Sequence, residues 1–494
     1  MIRRVTPFVL VLLCASFTLS HAQNGAGLLN YNARSAGRAG TGLGFFDSPE
    51  LMATNPAGIS FMERSAIDAN LSMLIPSLHF MNASNDKDGE DNLFPLPSVA
   101  YVNRPSSGAW SWGVGVFTTG GMGADFILEH PMLGTQDYHS MLAVFQGGPS
   151  VAWEFAPGIS LGASGHFVYS MLEMQMPYSL DPSIMAGVAD PTTGMTFGQM
   201  FAADPAQNGF GYQEVTAAAN MEELAAMGFQ GKIGLAFKLG SGVRLGVSYS
   251  TPVDLTFKSG TAAMDMSGQF NDAFGRAVQG YMMQNPGTTQ EQAMQAVGAM
   301  FGQLGIDPSK GFAATYDVET SFGMPSSMGA GMSYEVSDEF RVGLDLSYVM
   351  WSSAFDEMEI SLTNGNNDNI NRMMGSSTVE TVFPLNWDDS FIAKLGFEYD
   401  ASTALTLRAG YAYGSNPVPD ETAFPLFPAI LEHHLTLGGT VYVPATPLAV
   451  HLAFEYGLNN EQEGATPHFV AQEYAGSTSE LSTMLFHIAF TWSL

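Results

Sequence analysis

Between Val243 and Lys258 the chain alternates in polarity almost without a break. Val243, Leu245, Val247, Tyr249, Val253, Leu255 and Phe257 share one parity; Arg244, Gly246, Ser248, Ser250, Asp254, Thr256 and Lys258 share the other. Successive strand side chains point to opposite faces, so such a segment has one apolar and one polar wall. It is longer than the strands of most globular domains, whereas a tilted strand crossing a bilayer needs about 9–11 residues plus extensions. The pattern predicts a strand of a transmembrane β-barrel, with the apolar parity toward lipid and Arg244, Asp254 and Lys258 toward the lumen.

Fourteen segments read this way, at roughly 66–82, 96–104, 109–120, 139–156, 159–177, 229–240, 243–260, 313–336, 339–361, 386–400, 403–414, 431–444, 448–459 and 480–494. Their connectors alternate in length. Short ones such as Pro157-Gly158, Ser241-Gly242, Ser337-Asp338 and Ala401-Ser402 take turns with long ones at 83–95, 121–138, 178–228, 261–312, 362–385, 415–430 and 460–479. Short turns at one end and long loops at the other are a barrel signature that a soluble sandwich does not explain. The expected fold is an all-β, 14-stranded antiparallel transmembrane barrel over 65–494, with both termini on the periplasmic side.

Met1 to Ala22 reads as a secretory signal: Arg3 and Arg4, an apolar run from Val5 to Leu19, then Ser20-His21-Ala22 before the cut. It holds Cys14, the only cysteine, so the mature chain is expected to form no disulfide or thiolate metal site. It also carries two of the 17 basic and none of the 47 acidic residues, leaving a mature chain more acidic than the whole sequence at −30. That charge argues against nucleic acid as a partner. Two readings of the acidity stay open, a bridge through divalent cations to outer-membrane lipid and lipopolysaccharide, or a saline habitat.

Residues 23–64 do not alternate. Gly25, Gly27, Gly37, Gly40, Gly42 and Gly44 surround Leu28, Leu29, Phe45 and Phe46. Irregular backbone is tolerated at membrane depth only where it contacts protein or lumen water, so this segment reads as an N-terminal hatch. Two long loops carry helix signals. In 261–312, Phe270, Phe274, Val278 and Met282 precede an Asn285-Pro286-Gly287 stop; Thr288 and Glu291 then suggest a capping box ahead of Met294, Val297, Phe301 and Leu304. In 178–228, a short helix is expected from Asn220 to near Gly228. Leu224, Met227, Met282, Met283, Met294 and Phe301 are the loop candidates for a loose apolar binding surface, since thioethers adapt to irregular partners. Packing of the helices on one another is the alternative.

Several stretches, taken together, resemble the FadL/TodX-type outer-membrane transporters of long-chain fatty acids and other hydrophobic compounds. Ala36-Gly37-Arg38-Ala39-Gly40 followed by Asn55-Pro56-Ala57-Gly58 resembles their hatch. Trp112-Gly113-Val114-Gly115 leading to Gly120-Gly121-Met122-Gly123 resembles their third strand and its kink. Arg244-Leu245-Gly246-Val247-Ser248-Tyr249, Asn386-Trp387-Asp388-Asp389-Ser390, Leu405 to Gly410 and Asn416-Pro417-Val418-Pro419 follow in family order. The resemblance implies a monomeric barrel that catches a hydrophobic small molecule at external loops, passes it to a lumen pocket and releases it sideways at the kinked third strand. It implies no enzyme and no cofactor. The expected cargo is a long-chain fatty acid, with aromatic or aliphatic hydrocarbons as the alternative. Met174-Gln175-Met176, where relatives often carry basic residues, and Gly414-Ser415, where an acidic pair is common, weigh toward a neutral solute.

The candidate residues follow from this. Asn55, Pro56, Gly58, Phe45 and Phe46 belong to the hatch, Asn55 and Pro56 fixing a tight turn. Gly120, Gly121 and Gly123 belong to the kink, because glycine within a strand marks a bulge or close backbone approach. Arg408, Arg244, Lys394 and Arg341 are the lumen cations for a carboxylate ligand, with ion pairing inside the barrel as the competing reading. His433 and His434 point to opposite faces and cannot chelate one ion by simple geometry. No grouped Ser, His and acid supports a lipid- or peptide-hydrolysing barrel, and a surface-binding barrel is the remaining rival.

Overall fold

A computed structural model describes residues 25–205 and 209–494; the expected signal at 1–22 lies outside them. Among the described residues, fourteen strands form the wall. They begin with β1 (Ala66–Met81), β2 (Phe94–Asn103), β3 (Trp110–His130), β4 (Gly134–Ala156), β5 (Ile159–Leu180) and β6 (Val215–Lys238). Four interrupted strands follow: β7 (Val243–Ser250, Val253–Asp265), β8 (Ala313–Met324, Ser327–Glu335), β9 (Phe340–Val349, Glu357–Thr363) and β10 (Val379–Pro384, Ser390–Ser402). The last are β11 (Leu405–Gly414), β12 (His433–Tyr442), β13 (Leu448–Glu463) and β14 (Thr478–Ser493). Each pairs antiparallel with the next, and β14 closes on β1 from Ala66↔Ser493 to Met81↔Thr478.

The wall has two halves of opposite polarity, and β1 shows both. Near the short turns it sends Asp68, Asn70 and Ser72 inward and Ile67 and Leu71 outward; toward the long loops it sends Leu78 and Phe80 inward and Ser77 outward. The outward apolar residues of the turn half form a belt. Trp110, Trp153, Phe155 and Trp492 ring one margin, and Tyr249, Tyr348 and Tyr411 the other. Trp110 stacks on Trp153 at 5.4 Å. Aromatic rings at both margins fit the two membrane–water interfaces.

The opening segment, which alternates as one strand, is two. At Thr251-Pro252 the wall turns over: Val247 and Tyr249 face outward, but Val253, Leu255 and Phe257 are buried inside. The expected lumen placement of Asp254 and Lys258 is thereby corrected; Lys258 pairs with Glu319 on the exposed outer face, 3.2 Å away. Proline cannot donate to the ladder, and Pro325 interrupts β8 beside it, so the turnover is shared by two strands.

Beyond the belt the strands stand clear of lipid. The expected long loop at 121–138 is a tight turn, because β3 runs to His130 and β4 starts at Gly134. The expected helix at 220–228 is also strand, since β6 begins at Val215. Leu224 and Met227 are therefore wall residues on opposite faces, 1% and 80% exposed. The helices of 261–312 do form, as α4 (Ser267–Gln284) and α5 (Gln290–Gln303), with α4 ending before Asn285. The capping box sits one residue later than expected, on Thr289 and Gln292. Two further helices, α3 (Phe197–Ala202) and α6 (Asp368–Met374), complete the loop end, and two single-turn helices, α1 (Ala33–Ala36) and α2 (Leu51–Thr54), lie ahead of β1.

Candidate transport path

Residues 25–64 lie within the turn half of the lumen, and charge holds them there. Arg38, 1% exposed, donates from both terminal nitrogens to Asp47 at 2.9 Å and reaches Glu398 Oε2 on β10 at 3.0 Å. Its guanidinium lies 3.8 Å over the Phe45 ring. Burial alone would raise Asp47, but Arg38 and Arg34 beside it hold its carboxyl well below the usual range. Asn55 caps the Pro56–Phe61 turn, accepting from Ala57 N–H at 3.3 Å, and donates to Leu235 O on β6 at 3.1 Å. A side chain at Gly234 or Gly246 would collide with Asn55, so wall glycines let the hatch seat. Gly58 fits under Phe46, which packs on Phe61 at 5.4 Å.

The lumen cations belong to this lattice. Arg408 pairs with Glu398 and with Thr440 Oγ1, Arg341 with Glu398 and Asp400, and Arg244 with Glu335. Lys394 Nζ donates to Leu29 O at 2.6 Å. All four have partners within the protein: three pair with carboxylates of the wall, and Lys394 bonds a hatch carbonyl.

At the third strand the wall parts. The β2–β3 ladder runs from Asn103↔Trp112 to Ser98↔Phe117 and stops, while β2 continues along β1 to Phe94. Pro95 and Pro97 on β2 lack the N–H groups needed to extend it. These prolines, opposite the glycines, are the sequence signal that reasoning from β3 alone passes over. β3 bulges between Thr118 and Gly120, and the hatch takes the vacated bonds. Gly121 N–H donates to Ala26 O at 2.9 Å, and Leu28 N–H to Thr119 O at 3.1 Å. A Cβ on Gly120 would stand 2.7 Å from Ala26 O, one on Gly121 2.9 Å from Leu142 O, and one on Gly123 2.8 Å from Ser140 O. All three positions thus serve close backbone approach.

Four spaces lie in and beside the lumen. At the loop end, Met174, Met176, Met221, Met264, Met266 and Met374 line an apolar cavity of about 50 Å³ with Tyr178, Ile360 and Leu362. A wider groove of about 350 Å³ opens beside it between Gln136, Gln175, Asn220, Asp265 and Asn366, and shares Met176, Ala219, Ala263 and Met264 with it. Deeper, two further cavities touch the 25–31 segment. One of about 100 Å³ is lined by Tyr31, Thr119, Gln230, Lys232, Val253 and Trp351. The other, about 40 Å³, is lined by Leu28, Leu74, Leu96, Gly121, His434, Glu455 and His487. Between the methionines and the deeper pair stand Phe257, Phe322, Phe355, Trp351 and Trp387, with ring centroids 4.5–5.3 Å apart, Phe257 stacked on Phe322 and Phe355 on Trp387 and the other contacts edge-on.

The loop candidates divide. Phe301 is buried against Phe270 at 5.0 Å, and Met282 is partly buried against the same cluster. Met283 and Met294 are exposed, Met283 to 79%. Of the inner-cavity methionines, Met174, Met176, Met221 and Met264 lie on strands, Met266 caps α4 and Met374 ends α6; none is among the candidate residues. They alternate with outward polar residues (Met174-Gln175-Met176, Met264-Asp265-Met266), which was the available signal.

A closed barrel with an aromatic-edged belt, a hatch in its lumen and apolar chambers above defines an outer-membrane channel for apolar solutes. The sequence matches the outer membrane protein transport protein (OMPP1/FadL/TodX) model over residues 11–492, so the chain belongs to that family of outer-membrane transporters of hydrophobic compounds. It is similar in fold to the toluene transporter TodX of P. putida (19% identity, TM-score 0.65, covering 94% of this chain and 99% of that one). A Pseudomonas aeruginosa FadL homologue gives 15% identity and a TM-score of 0.67 over 95% and 99% of the two chains. The Ralstonia pickettii toluene transporter TbuX gives 19% and 0.65 over 94% and 99%. A search of curated proteins returns no match. Family and similar structures are channels, not enzymes.

Proposed function

We propose that this chain is a passive channel for neutral hydrophobic small molecules, with the long loops facing the exterior and both termini the periplasm. Solute is caught at the rim groove and the exposed Met283 and Met294, held in the methionine cavity, and passed down the aromatic stack. It leaves sideways where β2 and β3 part at Gly120, once residues 26–28 withdraw. The observation that carries the reading is the methionine cavity. Its lining holds no charged side chain, so a carboxylate would be buried there without a partner, at a cost an uncharged solute does not meet. The similar toluene transporters agree with a hydrocarbon cargo.

Fatty acid transport is the second reading. One feature favours it: Lys232 is the only lysine or arginine lining the methionine cavity or the deeper pair, although its Nζ already donates to Ala53 O. Growth on toluene or octane against growth on oleate, in a host lacking its own porter of this kind, decides between them. Hydrocarbon uptake above the porter-free background, without matching oleate uptake, is expected. Saturable oleate uptake with hydrocarbon entry at background would reverse the assignment. Extracted outer-membrane lipid and lipopolysaccharide around the belt are the proposed surroundings of the monomer.

A further inference from the structure

We propose that Lys394 on β10 and Glu455 on β13 are positioning residues that clasp hatch residues 29 and 30, and so hold residues 26–28 across the opening at Gly120. The inference rests on the lateral route proposed above. Two charges of opposite sign grip successive residues: Lys394 Nζ donates to Leu29 O at 2.6 Å, and Asn30 Nδ2 donates to Glu455 Oε2 at 2.7 Å. Hydrogen bonds to ionised groups are about twice as strong as neutral ones. Upstream of this grip the described segment is Gly25-Ala26-Gly27-Leu28, tied to β3, among the described residues, by two backbone bonds at Thr119 and Gly121. The clasp therefore supplies the strongest hold on the segment beside the opening.

The wall is built so that release leaves neither charge stranded. Glu455 Oε1 lies 2.9 Å from His434 Nδ1 on β12, and its Oε2 lies 3.7 Å from His487 Nε2 on β14. His487 Nδ1 is fixed in turn by Ser72 Oγ on β1 at 2.7 Å. Lys394 stands opposite Asp345 in register on β9, whose carboxylate accepts the Gly42 and Leu43 N–H groups. Removing one partner of a buried ion pair is costly because the other charge is left alone; here Glu455 keeps its two histidines, and Lys394 faces Asp345 across the ladder, after the hatch lets go. Such a clasp opens and recloses without disturbing the Arg38–Asp47–Glu398 lattice below it. The two deeper cavities both touch Gly27, so withdrawal of this segment joins them and extends the path to Leu74 and Leu96 beside β2.

The test reads the segment rather than the solute. Cys14 lies in the expected signal, so Leu28→Cys gives purified full-length barrel a single reporter thiol for maleimide labelling. Asn30→Ala and Lys394→Met are each expected to speed labelling roughly tenfold, the weight of one charge-assisted hydrogen bond. Labelling at Met52→Cys, deep in the hatch, is expected to stay slow in the same backgrounds. Unchanged labelling at position 28 in both variants overturns the clasp, as does an equal rise at position 52, which would mean the whole hatch had loosened. Toluene flux measured in parallel reports on the lateral route alone: faster labelling with unchanged flux upholds the clasp and overturns that route.

Discussion

The turn half and the loop half of this barrel are filled by opposite means. In the turn half, inward Asp68, Asn70, Glu398 and Glu455 meet the hatch through ion pairs and hydrogen bonds, beside a smaller apolar cluster of Phe46, Leu51, Met52 and Ile59 with Val102 and Phe117. In the loop half, the interior is a continuous apolar cluster of phenylalanine, methionine, leucine and valine from wall and loops. The outer surface inverts in step, apolar where lipid lies and polar above it. A membrane sets this arrangement. Where the exterior must be greasy the lumen carries the polar groups; where the exterior is wet, the hydrophobic effect can build a core inside. The methionine-lined apolar cavity is accordingly in the loop half, and the closure is in the turn half.

If the halves differ in this way, they should fail in different ways. The largest effect is expected from Arg38→Ala, which leaves buried Glu398 and half-buried Asp47 without their shared partner. A loss of about 3–5 kcal/mol in hatch stability is expected. It would show as entry of hydrophilic antibiotics while the barrel keeps its heat-modifiable gel mobility; an unaltered permeability would break the contrast.

A somewhat smaller effect comes from Glu50. Burial raises its carboxyl from 4.5 to about 7, against hydrogen bonds from Ser35 Oγ and the Tyr31 N–H. A raised carboxyl means that the seated hatch holds a proton which the released hatch gives up. Its contribution is therefore full below pH 4.5 and is lost as pH rises through 7, by about 3 kcal/mol. Amide exchange of hatch residues at pH 5 and pH 8 should show the loosening, and Glu50→Gln should flatten it.

In the loop half the sensitivity should be to volume. Met264→Ala enlarges an existing cavity and is expected to cost about 2–3 kcal/mol, at the low end for such truncations because space is already present. Thermal unfolding would register it, and preference should move toward bulkier hydrocarbons in competition assays. The smallest effect is at the rim. Thr289→Ala removes the α5 cap, worth about 1 kcal/mol, and should slow capture at low solute concentration without altering saturated flux.

Legibility in the sequence follows the same division. The strands of the belt are readable because lipid enforces apolar residues at every second position; β11, β12 and β14 emerge close to where alternation puts them. The loop-side halves of β3, β4 and β6 are not, because their apolar parity faces inward and resembles a loop or helix when lipid is taken as the reference. Leu224 and Met227 were misplaced for this reason. The ligand-cation candidates illustrate a second limit. Parity puts Arg408 and Lys394 on the lumen face and offers Glu398, across the ladder from Arg408, as an acidic partner, but Leu29 O as the partner of Lys394 depends on the hatch in place.

The Val243–Lys258 stretch marks the boundary. Its sequence determined that a strand runs there, which residues share a face, and that the chain builds a membrane wall with a hatch ahead of it. Alternation reports relative orientation only, so it does not say which face is inside. That was decided in three dimensions, where Pro252 and its neighbour Pro325 break two adjacent strands and turn Val253, Leu255 and Phe257 into the lumen. The parting of β2 from β3, filled by residues 26–28, likewise depends on prolines and glycines from three distant segments meeting at one height of the barrel.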